Sequence, residues 1–272
     1  MKKKIKSVIS GLVGMLLSLT ILLPFYMLII NSFKNKAEAA EMNIRMPTEW
    51  HIFDNFMEMA TTGNILIGYK NSIMITAMSV LLNILFSSIT AFIIQRRTDR
   101  LAKFLYTFFI LGILLPSFTV PTILMVYKLN LPRYIGLMLI YISGGLPMGL
   151  FLYVGYFKSI PRALDESAVI DGCGIMRLFF QIVMPLAKPI TATYAIVTIL
   201  THWNDFSTPL YLLSGSQNTT VTLTMFSFFG AHSADWNLVF ACVVATTIPV
   251  VIVYFFLQKY IVAGMVGGSL KG

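Results

Sequence analysis

The sequence predicts an all-α integral membrane protein with six transmembrane helices, and three observations lead there. Hydrophobic residues make up 57% of the chain and charged residues only 11%, with a mean hydropathy of +0.80, whereas soluble globular domains are near one quarter charged. Uncharged stretches recur at the ~20 residues that a helix needs to cross a ~30 Å hydrocarbon core. Lysine and arginine gather at the flanks of those stretches and form no basic face with base-stacking aromatics, which excludes a nucleic-acid-binding protein.

The first span, residues 8–30, follows Met-Lys-Lys-Lys-Ile-Lys, a start that resembles a secretory leader. Its apolar run is too long for one and has no small-residue cleavage site near its end, so an uncleaved helix is expected. Residues 31–71 are polar, with turn formers at Asn31-Ser32 and Pro47-Thr48, and read as a loop or cap outside the membrane. The spans at 72–94, 104–127 and 134–157 are joined by tight connections, Gln95 to Lys103 and Lys128 to Arg133, which make neighbours antiparallel. The fifth span, 189–213, is interrupted only by His202 and Asp205, and the sixth covers 238–257. Pro116, Pro121, Pro147 with Gly144-Gly145, and Pro249 loosen the helical ladder and predict kinks in a packed bundle. Residues 214–237 lack lysine and arginine and hold an apolar stretch at 221–230 too short to span, an external loop dipping back toward the membrane. Its Asn218-Thr219-Thr220 fits a glycosylation acceptor, a pattern common by chance.

If helices cross alternately, one side receives Lys2, Lys3, Lys4, Lys6, Arg96, Arg97, Arg100, Lys103, Lys158, Arg162, Arg177, Lys188, Lys259 and Lys271. The other has only Lys34, Lys36, Arg45, Lys70, Lys128 and Arg133, so the positive-inside rule puts both termini in the cytoplasm. Cys173 then falls on the cytoplasmic side and Cys242 inside the last span, which gives no disulfide framework. His51, His202 and His232 lie far apart and suggest no metal site, and no nucleophile, base and orienting acid are grouped as catalysis requires.

The connection at 158–188 is the longest on the cytoplasmic side and reads as two short helices around a turn. Ser159 can cap and Pro161 suits a first helical position, which predicts a helix over 161–170. Ile160, Leu164 and Ala168 share one face of it, and Arg162, Asp165 and Glu166 point elsewhere, toward a partner. Asp171-Gly172 makes the turn, because glycine tolerates the positive φ that ends a helix. From about Gly174 the stripe Ile175, Leu178, Phe179, Ile182 and Val183 marks a second, amphipathic helix, stopped by Pro185 and Pro189. A helical knob held under the membrane by an apolar strut suits the transmission of a push.

Glu166-Ser167-Ala168, three residues, Gly172, nine residues, then Ile182-Val183-Met184-Pro185 resembles the EAA loop of permease subunits of bacterial ABC importers. That pattern is E-A-A, three residues, G, nine residues, I-x-L-P; Ser167 and Met184 depart from it and keep small size and apolar volume. Trp203-Asn204-Asp205-Phe206 with Pro209-Leu210, Asn71-Ser72, and Gln258-Lys259-Tyr260 through Gly264, Gly267 and Lys271-Gly272 are similar to the carbohydrate-uptake branch, specifically its maltose-type second permease. The resemblance implies a single permease domain over residues 1–272, paired with a homologous permease, two ATP-binding subunits and an extracellular solute-binding protein in a bacterial cell membrane. It implies that Arg162, Asp165, Glu166, Ser167, Ala168, Asp171, Gly172, Ile182 and Pro185 form the ATPase-coupling loop, and that the tail at Lys271 and Gly272 contacts the ATPase pair. ATP and Mg would be used by those partners, with no cofactor on this chain. Solutes other than sugars, such as glycerol phosphates, stay open within the family.

The residues themselves agree on the division of labour. No G-x-x-x-x-G-K-[ST] phosphate cradle occurs, so energy must come from a partner. The alternative, a gradient-driven secondary transporter, normally leaves acidic residues within spans, where only Asp205 qualifies. A carboxylate there costs about 2.5–3.5 kcal/mol on insertion scales and should face the bundle interior with a partner. Two readings of Trp203, Asn204 and Asp205 stand side by side: a ring face and hydrogen bonds offered to a sugar on the translocation path, or packing between helices at the permease interface. His202 reads as a packed or hydrogen-bonded residue.

Overall fold

The computed structural model describes residues 2–62, 64–115, 118–214, 219–229 and 235–269. Pro116, Asn218, His232, Lys271 and Gly272, singled out above, lie outside the described residues. In chain order the helices are α1 (Lys2–Asn31), α2 (Lys36–Ala40), α3 (Ile52–Thr62), α4 (Ile65–Arg96), α5 (Arg100–Leu114), α6 (Thr119–Lys128) and α7 (Arg133–Phe157). There follow α8 (Ala163–Ile170), α9 (Ile175–Arg177), a π-helical stretch (Leu178–Val183), α10 (Met184–Leu186), α11 (Lys188–Asn204), α12 (Ser207–Leu213), α13 (Val221–Thr224), a 3-10 turn (Met225–Phe228) and α14 (Trp236–Ser269). Among the described residues four helices are long and apolar enough to cross a bilayer alone, and up to six spans result if each of two bent pairs, α5 with α6 and residues 175–186 with α11, counts as one. Two expectations of single helices are corrected. Residues 104–127 are divided between α5 and α6, and residues 189–213 between α11 and α12, with Asp205-Phe206 at the break. Pro147 and Pro249 sit within continuous helices.

The chain divides into two compact units. The first comprises Met1–Tyr69 and Val221–Pro249. Its polar centre answers the orphan carbonyls that every helix end leaves. Asn31 Nδ2 donates to Met27 O at 2.8 Å and to Asn43 O at 3.0 Å. Lys34, 1% exposed, donates from Nζ to Asn31 Oδ1 at 2.9 Å and to Asn43 Oδ1 at 2.8 Å. Burial pulls this ammonium below its usual pKa, against the opposing pull of Glu38 and Glu41. Asn55 Nδ2 donates to Ser32 O and Lys34 O, and Asn237 Nδ2 donates to Asn55 Oδ1 at 2.8 Å, so α3 and α14 are stitched to the end of α1. Lys36 pairs with Asp235. The segment read as a cap is therefore ordered around its own hydrogen bonds.

The second unit comprises Lys70–Thr220 and Val250–Gly272. Its core joins Phe92 and Ile94 of α4, Tyr153, Val154 and Phe157 of α7, Ile160, Ala168 of α8, Leu178, Phe179 and Val183, and Tyr194 of α11. The Phe92 ring stands 5.3 Å from Phe179 and 6.4 Å from Phe157, centroid to centroid. These aromatic contacts lock the knob against the ends of two spans.

Candidate functional site: the coupling knob and the helix-break cavity

The knob folds much as its sequence directs, with local differences. Ser159 does not cap it: its hydroxyl donates back to Tyr156 O at 2.7 Å, and α8 begins at Ala163 with Arg162 in front of it. Ile160 and Ala168 are buried as expected, but Leu164 is 40% exposed. The turn is a Schellman motif, in which Cys173 N donates to Ala168 O at 2.9 Å and Gly172 N to Val169 O at 3.0 Å, with Gly172 at φ +75°. In the strut Leu178, Phe179 and Val183 are buried and Ile182 is half-buried, whereas Ile175 is exposed. The helix widens there to π form, with Met184 N donating five residues back to Phe179 O. Pro185 explains this, since it has no N–H to donate and its ring crowds the carbonyl four residues earlier. At Ala187 the chain bends by 77° into α11.

Arg162 and Asp165, expected to point toward a partner, turn to α4 instead. Asp165 meets Arg96 through two contacts, Nε to Oδ2 at 2.6 Å and Nη2 to Oδ1 at 3.2 Å, with the side chains only 17% and 15% exposed. Arg162 Nη2 donates to Gln95 O at 3.2 Å. Glu166, Ser167, Asp171, Gly172 and Pro185 are exposed, and Ser167 Oγ donates to Leu164 O. Around them Val169, Ile170, Ile175 and Met176 stand 63–84% exposed. Large apolar side chains held at the tip of a structured protrusion are the usual mark of a protein-binding surface. Beside the knob, Arg97 donates to Asp99 and holds that carboxyl below its usual pKa.

A cavity of about 500 Å³ opens between α7, α11 and α12, within the range of small-molecule sites. Tyr141, Tyr194, Thr198, Thr201, His202, Asn204, Asp205 and Thr208 supply its polar wall, with Ile140, Met148, Val197 and Leu200 among the apolar members. Trp203 is buried at 5% exposure and does not line it, so of the three sequence candidates only Asn204 and Asp205 reach the opening. Asp205 is held at the helix break. Its Oδ1 accepts from Ser207 N at 3.0 Å and Thr208 N at 3.3 Å, starting α12, and its Oδ2 accepts from Tyr141 OH at 3.1 Å. His202 stacks on Tyr141 at 4.4 Å and pairs through Nδ1 with Ser79 Oγ at 3.0 Å.

Behind the cavity runs a line of small polar residues on α4, Ser72, Thr76, Ser79, Asn83 and Ser87, all buried. Asn83 Nδ2 donates to Tyr141 O at 3.1 Å. A Cβ on Gly145 would lie 2.6 Å from the Asn83 amide, and one on Gly149 would overlap Ser87 and Tyr194, so α7 approaches through its glycines. The sequence reading missed Arg96, Tyr141 and this line. The line was visible as polar residues at spacings of three and four within an apolar span; the partners of Arg96 and Tyr141 are remote in sequence and left no such signal.

Residues 83–267 match the model of the family described as binding-protein-dependent transport system inner membrane component. The chain is 34% identical over 260 residues, 95% of it and 94% of the relative, to the probable starch degradation products transport system permease protein AmyC of Thermoanaerobacterium thermosulfurigenes. It is 35% identical over 256 residues, 92% of it and 91% of the relative, to the melibiose/raffinose/stachyose import permease protein MelC of Bacillus subtilis (strain 168). It is also 35% identical over 259 residues, 92% of each chain, to the multiple sugar-binding transport system permease protein MsmG of Streptococcus mutans serotype c. The same fold occurs in a bacterial ABC transporter involved in the import of the acidic polysaccharide alginate, at a TM-score of 0.84 and 19% identity, covering 96% of this chain and 98% of that one. A bacterial alginate ABC transporter in complex with alginate pentasaccharide-bound periplasmic protein gives 0.69 at 16% identity, covering 94% and 95%. The match over most of the chain and the identity to full-length permeases establish that this protein belongs to the family of binding-protein-dependent transport system inner membrane components.

Proposed function

We propose that this chain is a permease subunit of an ATP-driven importer of carbohydrates, a six-span protein of the bacterial cell membrane with both termini cytoplasmic. A second permease, two ATPase subunits and an extracellular solute-binding protein complete the transporter, and ATP with Mg is consumed by the ATPase subunits. Carbohydrate is favoured because AmyC, MelC and MsmG carry sugar names over more than nine tenths of this chain's length. The tyrosine, threonine and asparagine groups set in the cavity's mainly apolar lining suit the same solute class, since sugars combine apolar ring faces with hydrogen-bonding hydroxyls.

The observation that carries the mechanism is the exposed tip of the knob, Glu166, Ser167, Val169, Ile170, Asp171 and Gly172, on a base packed against the ends of α4 and α7. An ATPase subunit that takes this tip into a cleft could move the bundle as a body when it closes on ATP, alternating the access of the cavity between the two sides. The test is reconstitution with co-expressed partners in vesicles. ATP-dependent uptake of a radiolabelled oligosaccharide, with Glu166→Ala hydrolysing ATP but importing little, is the expected result. Uptake that follows a proton gradient without ATP would overturn the reading.

A further inference from the structure

We propose that α4 is the connecting rod between the coupling knob and the cavity, and that Arg96 is the positioning residue that joins it to α8 through Asp165. This deepens the coupling role proposed above and rests on it. Each charge stands where its own helix favours it: Arg96 lies in the last turn of α4 and Asp165 in the first turn of α8. The guanidinium contacts both carboxylate oxygens and lies 5.8 Å over the Phe92 ring, which packs in the core with Phe179. Arg162 ties the same two elements a second time by taking up Gln95 O, one of the carbonyls that the end of α4 leaves without a helical partner. A tilt of α8 is thus resisted by charge, hydrogen bond and ring packing at one place.

The other end of the rod touches the cavity wall. Ser79 meets His202, and Asn83 donates to Tyr141 O, both on residues that line the opening. From Ser79 to Arg96 the helix is unbroken, a rigid length of roughly 25 Å at 1.5 Å per residue. The chain therefore holds a contiguous path from an externally loaded knob to the residues that shape the cavity. Exchange of the two charges tests the joint directly.

The measurement is solute imported per ATP hydrolysed, in vesicles holding the chain with its native partners, for Arg96→Ala, Asp165→Ala, Arg96→Lys and the exchanged double variant Arg96→Asp with Asp165→Arg. The single alanine variants should lower the ratio about fivefold or more while hydrolysis continues, the lower end of typical coupling between sites. Arg96→Lys, a point charge without the planar fork, should fall between. The exchanged pair should recover part of the loss, because each charge then opposes the dipole of its own helix and the Phe92 ring loses its cation. If an alanine variant does not assemble, Arg96→Lys and the exchanged pair carry the measurement. An unchanged ratio in Arg96→Ala or Arg96→Lys, no recovery in an assembled exchanged pair, or uptake and hydrolysis falling in proportion would overturn the joint. Glu166→Ala separates the two proposals: if it uncouples while the Arg96 variants do not, only the rod fails, and if it too leaves the ratio unchanged, the coupling role of the knob fails with it.

Discussion

Asp205 stands at the break between α11 and α12, and its surroundings account for its charge. Its two oxygens accept from Ser207 N, Thr208 N and Tyr141 OH, which stabilises the break from which α12 starts. Tyr141 of α7 thus holds Asp205 across a helix contact within the chain, and Asn204 lines the cavity beside it. Asp205→Ala should reduce stability by about 2 kcal/mol, combining a lost cap with an unpaired hydroxyl. Asp205→Asn keeps an acceptor for the cap and should lose less than half of that, measured by thermal unfolding in detergent. Equal losses in both variants would count against the capping role. Gly172 gives a second test, because its φ of +75° lies where a Cβ is strained while nothing stands within 4 Å of the added carbon. Gly172→Ala should cost roughly 1 kcal/mol from backbone strain alone. A larger loss in assembled transporter than in the isolated chain would point to contact with the ATPase.

Helices in this protein meet through two kinds of surface. At the knob, aromatic rings and an ion pair fill the contact. Along the cavity, α4 offers small polar residues and α7 offers glycines, so backbones come close. Gly145→Ala should push the Asn83 amide away from Tyr141 O and destabilise by about 1–3 kcal/mol, the usual cost of overpacking. A neutral effect would mean that α4 and α7 can separate freely, which would also weaken the role given to α4. The break of the fifth span follows the same logic: a carboxylate placed to cap a new helix makes interruption cheaper than continuation. The π stretch before Pro185 is the corresponding device in the strut, absorbing a missing donor without ending the element.

For the whole chain the strongest expectation concerns sidedness. In a chain with Cys173→Ser and buried Cys242 left in place, a cysteine at Phe53, 73% exposed, should react with an impermeant maleimide in intact cells. One at Ile170, 84% exposed, should react only after the membrane is opened. The reverse pattern would invert the orientation drawn from lysine and arginine and separate the knob from any cytoplasmic ATPase.

Hydropathy and the placement of basic residues were enough to read a helical membrane protein, because lipid removes every backbone solution except helices and closed barrels. The turn at Gly172 and the stop at Pro185 were equally legible, since positive φ and a missing N–H are properties of single residues. The fate of Arg162, Asp165 and Trp203 was not. Helical periodicity says which residues share a face but not which neighbour that face meets, and Arg96 lies 69 positions from Asp165. Only the folded packing decided that Asp165 pairs with Arg96 and Arg162 with the end of α4, that Trp203 is buried, and that Glu166 is left exposed.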